Sequence, residues 1–142
     1  MTCTVYKTVK QVGISDKKVK DIVLYTLRMV GRDGELVSIH FVGDAKMKSL
    51  NSRYRGVKDT TDVLSFATEE GKDGFGGGDL GDIFVSVPKI KSQAKEYSVS
   101  FREELIRMII HGVLHLSGLD HMEKREAKKM FALQERILEE VL

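Results

Sequence analysis

The stretch SFREELIRMIIHGVLHLSGLDH, residues 100–121, decides how the chain is read. Ser100 and Glu103 stand at the S-x-x-E spacing of a capping box, in which both side chains satisfy N–H groups that a helix leaves unpaired at its start. Leu105, Ile106, Ile109, Ile110, Val113 and Leu114 then recur with the period of a helix, so the stretch predicts a helix with one broad apolar stripe. Three of the chain's 4 histidines, His111, His115 and His121, fall at its far end.

Residues four apart on a helix differ by about 40° in direction and about 6 Å in rise, so the rings of His111 and His115 can meet at one point. On an unbroken helix His121 would lie about 15 Å beyond His111 and about 80° around it. Gly118 removes that obstacle: a residue free to take positive φ ends the helix and sends the chain back across the pair. Three converging neutral imidazoles suit one zinc ion and leave its fourth tetrahedral position open, the pattern of a catalytic site. Asp120, beside the third histidine, either accepts a ring N–H and fixes its tautomer or handles a proton during turnover. His40, alone in a predicted strand, is read as a residue with no metal to hold.

Outward from this stretch, Cys3, Val5 and the run from Tyr6 to Val9 predict a first strand. Ser15 caps a helix carrying Val19, Ile22, Val23, Leu27 and Val30. Leu36 to Val42 is a second strand, and Gly43-Asp44 opens a helix with Met47, Leu50 and Tyr54, followed by a loop with Arg55, Gly56 and Lys58. Thr61 to Phe66 and Ile83 to Val87 predict the third and fourth strands, with a glycine-rich loop from Gly71 to Gly81 between them. Pro88 suits the first turn of a helix ending near Tyr97. From Glu123 onward, Ala127, Met130, Phe131, Ile137, Leu138 and Val141 mark a last helix, and Met108, Met130 and Phe131 are read as core. Strands interspersed with helices predict an α+β fold: one domain over residues 1–142, a small mixed sheet of about four strands covered by about five helices.

Composition bounds the rest. A chain of 142 residues with 42% hydrophobic content can bury one core. Lys and Arg total 23 against 21 for Asp and Glu, a formal charge of +2 that demands no polyanion partner. No apolar run approaches the roughly 20 residues of a membrane span and no leader is visible, so a soluble, unprocessed protein is expected. Cys3 is the single cysteine, which excludes an internal disulfide and paired-thiolate metal sites and fits a reducing cytoplasm. The glycine-rich loop lacks the G-K-[ST] ending of a phosphate-binding loop, so no nucleotide cofactor is expected.

The frame of histidines and glycine resembles the metzincin zinc-peptidase motif H-E-x-x-H-x-x-G-x-x-H, a zincin-like arrangement, but Gly112 stands where that motif has its glutamate base. A zinc peptidase would therefore lack its proton acceptor. The segment resembles more closely the YbeY family of metal-dependent endoribonucleases, whose hallmark H-G-x-L-H-L-x-G-x-D-H is matched at every fixed position. Leu50-Asn51 with Tyr54-Arg55-Gly56, then Thr61-Asp62-Val63-Leu64-Ser65-Phe66, then Leu80-Gly81-Asp82-Ile83 stand in that family's order. Leu119 departs from a site often aromatic in the family and Ala67 from one often proline.

The resemblance implies a zinc-dependent, single-strand-specific RNase of the bacterial cytoplasm. It would act with the small ribosomal subunit in ribosomal RNA maturation, at the 3′ end of 16S rRNA, and in ribosome quality control. In that reading His111, His115 and His121 hold the metal, metal-activated water attacks the phosphodiester, and Arg55, matching the family's YRG arginine, meets the growing charge with a planar fork of donors. Lys58, Asp59 and Asp62 are contacts or scaffold. A second reading is a ribosome-associated RNA-binding module in which the zinc is structural, in keeping with the modest net charge.

Overall fold

The computed structural model describes residues 3–10, 12–68, 79–119 and 124–142. Its elements run β1 (Cys3–Lys7), α1 (Asp16–Met29), β2 (Leu36–Val42), α2 (Asp44–Arg55), β3 (Val63–Ala67), β4 (Asp79–Ser86), α3 (Val87–Glu96), α4 (Phe101–Leu116) and α5 (Lys124–Val141). The strands form a mixed sheet in the order β1-β2-β4-β3. β1 and β4 flank β2 in parallel, while β3 runs antiparallel to β4. The α+β class expected from the order of elements is the one found. None of the described helices is long and apolar enough to cross a membrane.

Alternation along the strands sorts the sheet into two faces. Val37, Ile39 and Phe41 of β2 and Ile83 and Val85 of β4 are all but fully buried and join the main core with α1, α4 and α5. On the other face α2 covers only part of the sheet, where Met47 and Leu50 pack with Val42 and Leu64 against Phe66 and Phe84. Tyr6 and His40 lie on that same face, and Tyr6 is half exposed.

Several boundaries differ from the expectation. β1 ends at Lys7 rather than Val9 because β2 ends at Val42. Thr8 N–H still reaches the Phe41 carbonyl at 3.0 Å, but Val9 has only side-chain packing left to it. β3 begins at Val63 rather than Thr61, because Asp62 turns its carboxylate onto the Val63 N–H at 2.9 Å. β4 begins at Asp79, not Ile83, and Val87 belongs to the next helix. The register jumps from Leu36 opposite Asp79 to Val37 opposite Gly81, so Leu80 is an extra residue in its strand. That bulge breaks the period-two pattern by which a strand is recognised. Residues 71–78 of the expected glycine-rich loop lie outside the described residues.

α4 is seated on β4 at Gly112. A Cβ there would stand 2.9 Å from Ile83 Cγ2 and 3.0 Å from its Cδ1, and Ile83 is wholly buried. The position that carries a glutamate in the zinc peptidases is thus filled here by the neighbouring strand. Overpacking of about 1–3 kcal/mol exceeds the roughly 1 kcal/mol that alanine gains over glycine in a helix. Gly112→Ala is therefore expected to lose on the order of 1 kcal/mol, and Gly112→Glu more because it also buries a carboxylate. Urea midpoints check this, and a Gly112→Glu midpoint at or above that of the parent would contradict the close packing.

Candidate metal centre and its cleft

Ser100 caps α4 with its hydroxyl oxygen, which accepts the Glu103 N–H at 3.0 Å. The reciprocal half of the expected capping box is replaced: the Glu103 carboxylate accepts instead from Arg107 Nη2 at 3.1 Å. The apolar stripe of α4 faces the core, and a second stripe of Glu104, Met108, His111 and His115 recurs at three- and four-residue steps along its flank. His111 is half-buried and His115, one turn on, is exposed.

The helix stops where the histidine spacing requires. Gly118 takes φ +96°, its N–H reaches the His115 carbonyl at 3.2 Å, and the Leu119 N–H reaches the Leu114 carbonyl at 3.1 Å. These are the two bonds of a Schellman motif, and Leu119 packs back on the core. Asp120 and His121, the second catalytic candidate and the third candidate ligand, lie outside the described residues. Among the described residues no group of three candidate ligands is assembled.

α5 supplies a partner that sequence reasoning missed. Gln134 is buried, and its Oε1 lies 2.8 Å from His111 Nδ1. Its amide Nε2 donates to Glu135 Oε2 at 3.2 Å, and a carboxylate at that distance only accepts, so the amide oxygen is the atom turned to His111. Nδ1 of His111 therefore donates, which in the uncharged tautomer puts the ring's lone pair on Nε2. Phe131, expected in the core, is 45% exposed and lies parallel to the His111 ring at 6.2 Å. It forms a wall of the site because its position on α5 falls one step beside the stripe of Met130, Ile137 and Leu138. A glutamine one turn from an aromatic, on a helix otherwise Glu- and Lys-faced, was the available signal for both.

His111 opens into a cleft of about 440 Å³ whose walls include Asp62, Gln93, Glu104, Arg107 and Phe131. One polar chain runs along it. Gln93 Nε2 donates to Asp62 Oδ2 at 3.2 Å and to Glu104 Oε2 at 2.5 Å, and Glu104 Oε1 accepts from Arg107 Nη1 at 2.7 Å. Arg107 also forks onto Glu135, with Nε and Nη2 each 3.0 Å from a carboxylate oxygen. Thus Glu104, 1% exposed, has both oxygens paired. Arg107, engaged by Glu103, Glu104 and Glu135, has its charge spent locally.

Arg55 is the last residue of α2 and is exposed; it is not among the residues lining this cleft. The loop from Gly56 to Asp62 joins the two places and is pinned along its length. Asn51 Nδ2 holds the Asp59 carbonyl at 2.9 Å, Thr60 Oγ1 donates to Asp44 at 3.2 Å, and Ser86 N–H holds the Asp62 carbonyl at 2.9 Å. Cys3 is apart from all of this, its thiol pushed up to about 11 by burial and so kept uncharged.

The fold places the chain in a class of small α+β proteins with known structure. The solution structure of TM1509 from Thermotoga maritima superposes with a TM-score of 0.67 at 29% identity, covering 97% of this chain and 89% of that one. Residues 5–142 match the family model described as Endoribonuclease YbeY. An Endoribonuclease YbeY from Persephonella marina is 40% identical over 91% of this chain and 85% of its own length. One from Geobacillus thermodenitrificans is 47% identical over 75% of this chain and 72% of its own length. The chain belongs to the Endoribonuclease YbeY family, a family of endoribonucleases.

Hydrogen bonds from Arg107 hold the Glu135 carboxyl below the ordinary glutamate value of 4.5, against the opposing effect of burial and with help from Gln134. A carboxyl lowered in the folded state contributes stability above its unfolded pKa, and that contribution is lost as pH falls through the lower, folded value. Thermal midpoints should therefore drop as the pH is taken below 4.5, and Glu135→Gln should flatten that acid limb. An equally steep acid limb in the variant would show that the Arg107 pairing contributes nothing.

Proposed function

We propose that this chain is a zinc-dependent endoribonuclease that cuts single-stranded RNA, with His111, His115 and His121 as ligands to one ion and Arg55 and Asp120 as catalytic groups. The observation that carries the reading is the pair of imidazoles on one flank of α4, followed by the end of the helix and a positive φ at Gly118, with Gln134 Oε1 set against His111 Nδ1. Such a donor set fits zinc, which when bound supplies Lewis acidity and lowers the pKa of water at its open position.

The residues of the chain then divide the work. Gln134 holds the His111 tautomer, and Glu135 holds Gln134. Arg107 is neutralised by carboxylates and offers little to a phosphate, so the cation that meets the growing charge must be another one. Arg55 makes no ion pair among the described residues and sits at the head of a pinned loop leading to Asp62 on the cleft wall. Its planar fork suits a phosphate oxygen pair. Asp120 adjoins the third ligand, where a carboxylate orients a ring or carries a proton. Family membership supports RNA as the substrate, and we extend the reading to ribosomal RNA, the 3′ end of 16S rRNA, the small ribosomal subunit and ribosome quality control in the cytoplasm.

His115→Ala should lose both bound zinc and cleavage of a single-stranded RNA, whereas Arg55→Ala should keep zinc and lose about a hundredfold or more in rate. Metal analysis paired with a cleavage assay, run with and without chelator, tests both, and full activity in His115→Ala would refute the proposal. Zinc bound normally by a chain that cuts nothing would favour the structural-zinc module instead. Gln134→Leu should weaken zinc binding by about ten- to a hundredfold, read by competition with a chelating dye.

A further inference from the structure

The outer face of the sheet, away from α4, carries an unbroken line of aromatic rings. Tyr6 of β1 stacks on His40 of β2 at 4.7 Å, and His40 stacks on Phe84 of β4 at 4.2 Å, with ring planes 13° and 12° apart. Phe84 meets Phe66 of β3 edge-on at 5.7 Å, and Phe66 meets Tyr54 of α2 at 5.1 Å. Leu50, Tyr54, Phe66, Phe84 and Asp82 enclose a pocket of about 290 Å³ where α2 leaves this face uncovered. Asp82 accepts from His40 Nε2 through Oδ1 at 2.8 Å, and its side chain remains 41% exposed.

We propose that this pocket takes one unpaired nucleobase of an RNA strand. The inference rests on the reading of the chain as an endoribonuclease and adds a contact surface to it. Three aromatic walls match the flat, polarisable faces of a base, which stack on such rings whatever their sequence. The Asp82 carboxylate is an acceptor for the exocyclic amine of cytosine, adenine or guanine. Charge singles out a nucleic acid from other apolar occupants: α2, which forms one wall, presents Lys46, Lys48, Arg53 and Arg55, all exposed. Its single acid, Asp44, is engaged by Thr60 and Ser86. A base in the pocket would set its flanking phosphates against that cationic helix.

The test uses the full chain and a ten-nucleotide single-stranded RNA carrying one 2-aminopurine, whose emission is quenched when it stacks on an aromatic ring. Tyr54 is 59% exposed, so Tyr54→Ala should leave the melting temperature where it is. The parent should quench the probe on binding, and Tyr54→Ala should lose the quench and weaken binding about five- to 150-fold, with Tyr54→Phe restoring both. Unchanged affinity and quench in Tyr54→Ala, with RNA still bound and cut by the parent, would overturn the pocket alone and point to a protein-docking face. A parent chain that neither binds nor cuts the RNA would overturn the pocket together with the nuclease reading.

Discussion

The contact on which the arrangement depends is the one between the α4 backbone at Gly112 and the Ile83 side chain of β4. Any side chain at 112 would lift the helix from the sheet, and His111 is its immediate neighbour in the chain. The depth at which α4 lies therefore sets how far the His111 ring stands from α5, and the 2.8 Å bond to Gln134 depends on that depth. The same glycine accounts for the missing carboxylate base: the place that a zinc peptidase gives to proton transfer is used here for packing.

Around that contact the polar groups are arranged to hold one another. A buried glutamate is costly unless both its oxygens are paired, and Glu104 has Arg107 on one and Gln93 on the other. Arg107 in turn fixes Glu135, Glu135 fixes Gln134, and Gln134 fixes His111. The linkage joins α3, α4 and α5 and ends at Asp62 on the loop before β3. Its charges are largely consumed internally.

What could be read from the sequence was what depends on local pattern. The helical stripe from Leu105 to Leu114, the Ser15 and Ser100 caps and the stop at Gly118 all follow from spacing and backbone chemistry, and all are present. Two of the three proposed ligands, His111 and His115, share one flank of α4 for the same reason. What escaped depends on contacts between distant segments. Leu80 is an extra residue only because β2 sets the register, and Phe131 is a wall rather than core only because α5 lies across His111. Gln134 is separated from His111 by 23 residues, and its spacing has no recognisable periodicity. The aromatic line on the outer face was equally hidden, since its five rings come from five different elements.

The strand order β1-β2-β4-β3 has a further consequence for how the molecule assembles. β4 lies between β2 and β3 and is the seat of α4, yet it is the last of the four strands along the chain. Its pairing with β2 closes a loop of some 40 residues, from His40 to Phe84, before any ladder bond is gained. Topologies dominated by such distant pairings fold slowly. During synthesis the part of the histidine helix's seat that β4 provides is thus complete only once the sheet's own middle has been threaded into place, whereas its contacts with α1 and α3 do not wait on that pairing.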